Sequence, residues 1–305
     1  MGALAMQQPR SETGARIFDD HRDNLTVDVQ NELVRARSAD MRSEHSDAAL
    51  LWNVFRTLQR LDTRTWLPRL VRHALPEADR SGALRQLLAT DLSQSQFHWW
   101  RRWDLPPSRH AWLRDAALCG TLPLEHYAPH SIPEKRTEVQ RRLTAGLPFE
   151  EPVEISLCVE TPDWVLGIEA VYRSNLRRHT TFDARRDAVV RLIDAGTWMA
   201  GERPFLVLVV TTDTRTLNVE TARLVERYHE RPERIIEALP HRDDKAALGR
   251  TAPLVGSLRW KDIGALLLAA KAEDRLGLFD VSALDELVKY LARKDVGFNF
   301  FRRLK

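Results

Sequence analysis

The chain has 305 residues, 43% of them hydrophobic and 29% charged, with a formal net charge of +3. That composition excludes a wholly disordered chain, a collagen-like chain and a disulfide scaffold, since there are only two cysteines, Cys119 and Cys158. No window approaches the roughly 18 uninterrupted apolar residues of a membrane span, and the N-terminus lacks the pattern of a secretory signal, so the expectation is a cytoplasmic protein without a membrane partner. Of the 46 basic residues 39 are arginine, and no lysine occurs between Lys135 and Lys245. Arginine excess commonly follows genome composition. Arginine also pairs phosphate in a two-pronged way that lysine cannot.

Residues 1–25 are polar and without apolar period, and read as a loose tail. A helix is expected over about 24–39. Ser46-Asp47 opens a stronger one through Leu61, with Leu50, Leu51, Val54, Phe55 and Leu58 on one stripe. Residues 66–150 read as short amphipathic helices divided by prolines, making 26–149 a mostly helical region. Within it, His98-Trp99-Trp100-Arg101-Arg102-Trp103 has two readings: a base-stacking surface, or three tryptophans on one buried helical face, which is favoured because aromatics usually fill cores. His126, His130 and Cys119 do not make a zinc site, because Pro129 spoils the helical spacing and a second cysteine is missing.

At Pro152 the pattern changes. VEISLCVET reads as a strand, Thr161-Pro162-Asp163 as a turn and WVLGIEAVY as a second strand, together a hairpin. Set in register about the turn, Ser156 faces Glu169 and Glu154 faces Val171, all four on one side. Glu169 stands out, because a carboxylate in an apolar strand is costly unless paired or metal-bound. A basic loop follows, then a helix over about 182–200, the fully apolar strand PFLVLVVTT, helices around 215–239, a short strand at VGSLRW, and helices over 260–272 and 282–294. This order predicts an α/β fold in which a helix crosses over one sheet. Sequence signatures for ATP, dinucleotide, zinc-protease or serine-hydrolase chemistry are absent.

The hairpin with Glu169-Ala170-Val171 resembles the core of the PD-(D/E)xK nucleases, the restriction-endonuclease-like fold. ALLWNVFR at 49–56, Arg186-Asp187, Ile193-Asp194-Ala195-Gly196 and the C-terminal LARKDVGFNFF are similar to segments of a group of predicted bacterial nucleases of that fold. The resemblance implies a mixed sheet flanked by helices over 150–305, joined with the helix 46–61 in one unit and carrying a helical insertion. It implies nucleic acid, and DNA before RNA, as ancestral substrate, Mg²⁺ as ancestral cofactor and a bacterial defence setting. In the family, an acid on one strand and acid-x-lysine on the next hold the metal and polarise the attacking water. Here those positions carry Ser156, Glu169 and Val171. Glu154 is the nearest replacement acid, so Glu169 and Glu154 are the candidate metal ligands of a weak or lost Mg²⁺ site. Three functions follow. One is a nucleic-acid-binding protein with impaired or lost cleavage. A second is an active nuclease using relocated groups such as Glu44 or Asp47. The third is a non-catalytic subunit binding a protein partner or a second copy of itself. The arginines Arg173, Arg177, Arg178, Arg185 and Arg186 are the candidate phosphate contacts.

Overall fold

The computed structural model describes residues 30–43, 45–124, 127–180, 182–212, 218–272 and 277–294. The chain divides into two compact units, one formed by residues up to Trp66 together with those from Trp260 onward, the other by Leu67–Arg259.

The first unit is helical: α1 (Glu32–Ala36), α2 (Ser38–Arg42) and α3 (Asp47–Arg60). α3 starts where the sequence predicts, because the Ser46 hydroxyl accepts from the Ala49 N–H at 2.9 Å and so satisfies an otherwise orphaned donor. Its apolar stripe is fully buried, and the Phe55 ring meets Trp66 and Trp260 edge-on at 6.3 and 6.5 Å. α4 (Thr63–Ala74) begins in this unit and ends in the next. From Trp260 the first unit resumes with α13 (Trp260–Lys271) and α14 (Leu278–Arg293), close to the expected bounds; α14 packs on α3.

The second unit is built on a five-stranded mixed sheet in the order β1 (Gln96–Trp103), β2 (Val153–Glu160), β3 (Val165–Ala170), β4 (Phe205–Thr211), β5 (Val255–Arg259). The expected hairpin is β2–β3, with Leu157 paired to Ile168 and Cys158 to Gly167, the predicted register. Its turn is closed by Thr161, whose hydroxyl accepts from the Trp164 N–H at 3.0 Å. β4 lies parallel to β3 and β5, and is buried at every position, as its unbroken apolar run requires.

The helices of this unit are α5 (Pro76–Arg80), α6 (Ala83–Leu87), α7 (Pro107–Leu118), α8 (Ile132–Ala145), α9 (Ala188–Ala200), α10 (Val219–Glu230), α11 (Glu233–Glu237) and α12 (Lys245–Thr251). α9 joins the parallel pair β3 and β4, and α10 to α12 join β4 and β5. Val189, Leu192 and Ile193 of α9 share a core with Phe205, Val207 and Val209 of β4. One ring sets the closeness of that packing. A Cβ on Gly196 of α9 would fall 2.1 Å from the Phe205 ring, and one on Gly167 of β3 2.9 Å from it, so both positions need glycine.

Two expectations are corrected. The tryptophan-rich segment is not a helix but β1, an edge strand antiparallel to β2, with Trp99 and Trp103 buried and Trp100 half-buried at a φ of +48°. α9 begins at Ala188, not at 182. Asp187 is its cap, accepting from the Val190 N–H at 3.0 Å, and the Asp183 carbonyl turns back to the Thr180 N–H.

Candidate functional site

Glu169 lies near the end of β3, half-buried, opposite Val209 of β4. Both of its carboxylate oxygens are engaged by Ser156 of β2. The hydroxyl donates to Oε2 at 2.7 Å and the backbone N–H to Oε1 at 3.2 Å. Withdrawal of the carboxyl group from water pushes it up to about 7, against the two Ser156 hydrogen bonds; Glu154 pushes the same way and Arg191 the other. Glu154 is exposed at the neighbouring end of β2 and faces Arg102 of β1 at 3.7 Å. Val171 lies just past the end of β3. It is 3% exposed, and its N–H donates to the Val210 carbonyl at 2.8 Å.

These residues do not fit a Mg²⁺ site as they stand. Mg²⁺ dehydrates reluctantly and takes hard, charged oxygen ligands in octahedral geometry. Here the carboxylate that would hold it is satisfied by a serine and disposed to take a proton, and Glu154 is directed at an arginine. Among the described residues, no group of three or more His, Cys, Asp or Glu side chains is placed to hold a metal. Of the relocated acids, Asp47 alone is among the described residues. Asp47 sits half-buried in the first turn of α3, and Glu44 lies outside the described residues, as does His126.

The arginine-bearing loop after β3 is anchored at several points. The Asn218 amide donates to the Ser174 carbonyl, and the Thr221 hydroxyl both accepts from the Leu176 N–H at 2.9 Å and lies 3.1 Å from Asn175 Oδ1. On this fixed loop Arg173 is exposed beside the Tyr172 ring, Arg177 is exposed, and Arg178 is exposed and paired with Glu220. Arg185 is exposed 3.6 Å from Asp183. Arg186 corrects the expectation: it is fully buried, so its guanidinium is not available to a phosphate.

Arg186 instead belongs to a buried ionic network that sequence reasoning missed. Its Nε donates to Glu150 Oε1 at 3.0 Å and its Nη2 to Asp194 Oδ2 at 2.7 Å. Arg109 of α7 reaches Glu150 at 3.0 Å and Asp183 at 3.2 Å, and Arg191 of α9 reaches Glu150 at 2.7 Å. Asp194 of α9 also takes Arg242 at 3.0 Å and His241 Nε2 at 2.9 Å. Burial alone would raise both acids, but the surrounding arginines hold Glu150 at about 2, and His241 with the arginines holds Asp194 below its usual range. Burial lowers His241, against the opposing effect of the Asp194 carboxylate beside its Nε2. Asp187, beside this network, goes the other way: burial raises it to about 6, and the Tyr228 hydroxyl donates to it. The network ties α7, α9, the lead-in to β2 and the segment after α11 together. A signal for it was present, since Asp194 is a lone carboxylate in the apolar run VVRLIDAGTW, as Glu169 is in β3.

Among the described residues no helix is long and apolar enough to cross a membrane. No protein-family model, curated protein or solved structure matches the chain.

Proposed function

We propose that this chain is a PD-(D/E)xK-like nucleic-acid-binding protein in which cleavage is impaired or lost. The observation that carries the reading is the pairing of Glu169 with Ser156. A serine stands where the resemblance puts an acid, and it takes up the hydrogen-bonding capacity of the acid that remains. The buried Val171 in place of the lysine agrees with this, because nothing at that position can polarise a water. The exposed arginines of the anchored loop that follows β3 support contact with phosphate.

The test joins binding to cleavage. Binding of a duplex oligonucleotide, followed by fluorescence anisotropy, should weaken steeply with salt. Replacing Arg177 and Arg178 with alanine should weaken it for all sequences alike and flatten the salt slope by about one for each phosphate no longer neutralised. With Mg²⁺ or Mn²⁺ no robust cleavage is expected. Strong cleavage abolished by Glu169→Ala would instead establish an active nuclease using other ligands. Binding indifferent to salt would remove the phosphate site. It would favour the protein-partner reading, for which Trp198 and Met199, 49% and 41% exposed at the end of α9, offer an apolar surface.

A further inference from the structure

A second site lies between α7 and α8, formed by residues that play no part in the proposed nucleic-acid site. An open cleft of about 310 Å³ is lined by His110 and Arg114 of α7, Arg142 and Leu143 of α8, and Leu147 and Phe149 of the segment that follows. His110 and Arg114 are four residues apart on one helix, so they project side by side over one face. Neither has a hydrogen-bond or ion-pair partner among the described residues. Most arginines of this unit are paired, so an unpaired arginine beside an unpaired histidine at the mouth of a cleft is distinctive.

Arg142 is held differently. Its Nε donates to Glu138 at 2.6 Å, its Nη1 donates to the Pro148 carbonyl, and its guanidinium lies 5.6 Å from the centre of the Phe182 ring. It is a fixed cationic wall. Glu138 is shared between Arg141 and Arg142, and among the described residues no acidic side chain lines the cleft. The turn that closes it is also fixed. Gly146 adopts the left-handed conformation, and the N–H groups of Gly146 and Leu147 return to the Leu143 and Arg142 carbonyls. That closure satisfies two of the carbonyls whose partial negative charge would oppose an anion.

The remainder of the lining is apolar: Leu143, the 40%-exposed Leu147, Pro148 and Phe149. A free inorganic ion would leave that surface wet and unused, and a purely apolar ligand would leave two cations unpaired. The volume is at the small end of ligand sites, which run from about 300 to 1,000 Å³. We infer that this cleft binds a small phosphate monoester with an apolar body, its phosphate taken by Arg114 and His110 beside Arg142 and its body laid on Leu143, Leu147 and Phe149. Arginine offers the two-pronged donor set for phosphate oxygens, and the imidazole supplies an N–H in either protonation state.

The experiment is calorimetric titration of the full chain with phenyl phosphate, inorganic phosphate and benzoate. Phenyl phosphate should bind one-to-one and more tightly than either. His110→Ala with Arg114→Ala should weaken it by about tenfold or more, as removal of charge-assisted hydrogen bonds does. Leu147→Asp, at an exposed position, should weaken it too, while Arg85→Ala, an exposed arginine of α6, should not. Absence of saturable binding at about 10 mM, weaker than any useful site, would overturn the inference. So would equal binding by the double variant, or an equal weakening in Arg85→Ala. Inorganic phosphate binding as tightly would remove the apolar half of the assignment, and tighter benzoate binding the phosphate half.

Discussion

The Ser156 hydroxyl donates to Glu169 Oε2 at 2.7 Å, while the N–H of the same serine reaches Oε1 at 3.2 Å, so one residue of β2 satisfies both oxygens of the carboxylate on β3. The pair is compatible with either charge state of the acid, since a serine hydroxyl both donates and accepts.

The first prediction is a pH dependence. Glu169 titrates at about 7 in the folded protein against an ordinary 4.5. Between those values the folded chain binds more protons here than the unfolded chain, so the stability associated with this group is full at acid pH and declines as pH rises through the window. Glu169→Gln should therefore gain relative to wild type with rising pH, by on the order of 1–3 kcal/mol in all. Urea unfolding of both proteins across the window measures this. His241, lowered by burial, acts in the opposite sense in wild type and variant alike, so it cancels in the difference. A difference that does not change with pH would show that the carboxyl group is not withdrawn from water.

Ser156 gives the second prediction. Ser156→Ala should cost about 1 kcal/mol, the worth of one hydrogen bond. Ser156→Asp should cost more at neutral pH, because it sets a second carboxylate against Glu169. Added Mn²⁺ or Mg²⁺ should recover part of that stability in the aspartate variant and none in the alanine variant. Thermal midpoints with and without metal decide it. Equal metal response in both would mean that the hairpin does not present these positions to a common ion.

A third prediction concerns the buried network. Asp194→Asn leaves Arg186, Arg242 and His241 without the charge they share, and Arg186→Met does the same to Glu150 and Asp194. Each should destabilise by about 3–5 kcal/mol, as breaking a buried pair does. The double variant should cost less than the two singles together, since the partners are in contact. Full additivity in urea unfolding would count against a shared network.

The fourth is steric. Gly196→Ala places a methyl 2.1 Å from the Phe205 ring, and should cost about 1–3 kcal/mol or more as overpacking. Phe205→Leu should relieve most of that cost while introducing a smaller one of its own. Failure of the second change to compensate in a denaturant series would separate the glycine's role from this ring.

The hairpin and its register were readable because Thr161-Pro162-Asp163 marks a turn and the flanking apolar residues leave one pairing that buries them. β4 was readable from an apolar run with no polar face. β1 was not, because Trp99 and Trp103 are four residues apart, a spacing that puts them on one face of a helix and equally of a strand. The start of α9 was misplaced because Phe182 is apolar and in phase with the helix, yet Asp183 Oδ1 accepts from the Arg185 N–H in a turn and Asp187 caps the helix. Arg186 shows the limit most clearly. In a run of arginines the one bound for the interior looks like the others, and only its distant partners Glu150 and Asp194 distinguish it.

β1 also bears on how copies of this chain meet in solution. Among the described residues it is an end strand of the five-stranded order, and the end of a sheet is where a strand from another chain can be added. Arg101 and Arg102 sit on this strand 3.7 Å from Glu160 and Glu154 of β2, and they keep solvated charged side chains along it. A second copy pairing in line would have to strip water from these charged side chains. Replacing both arginines with valine would extend the β-branched and aromatic character of the strand to its end, and would turn a guarded border into a sticky one, read out as concentration-dependent aggregation.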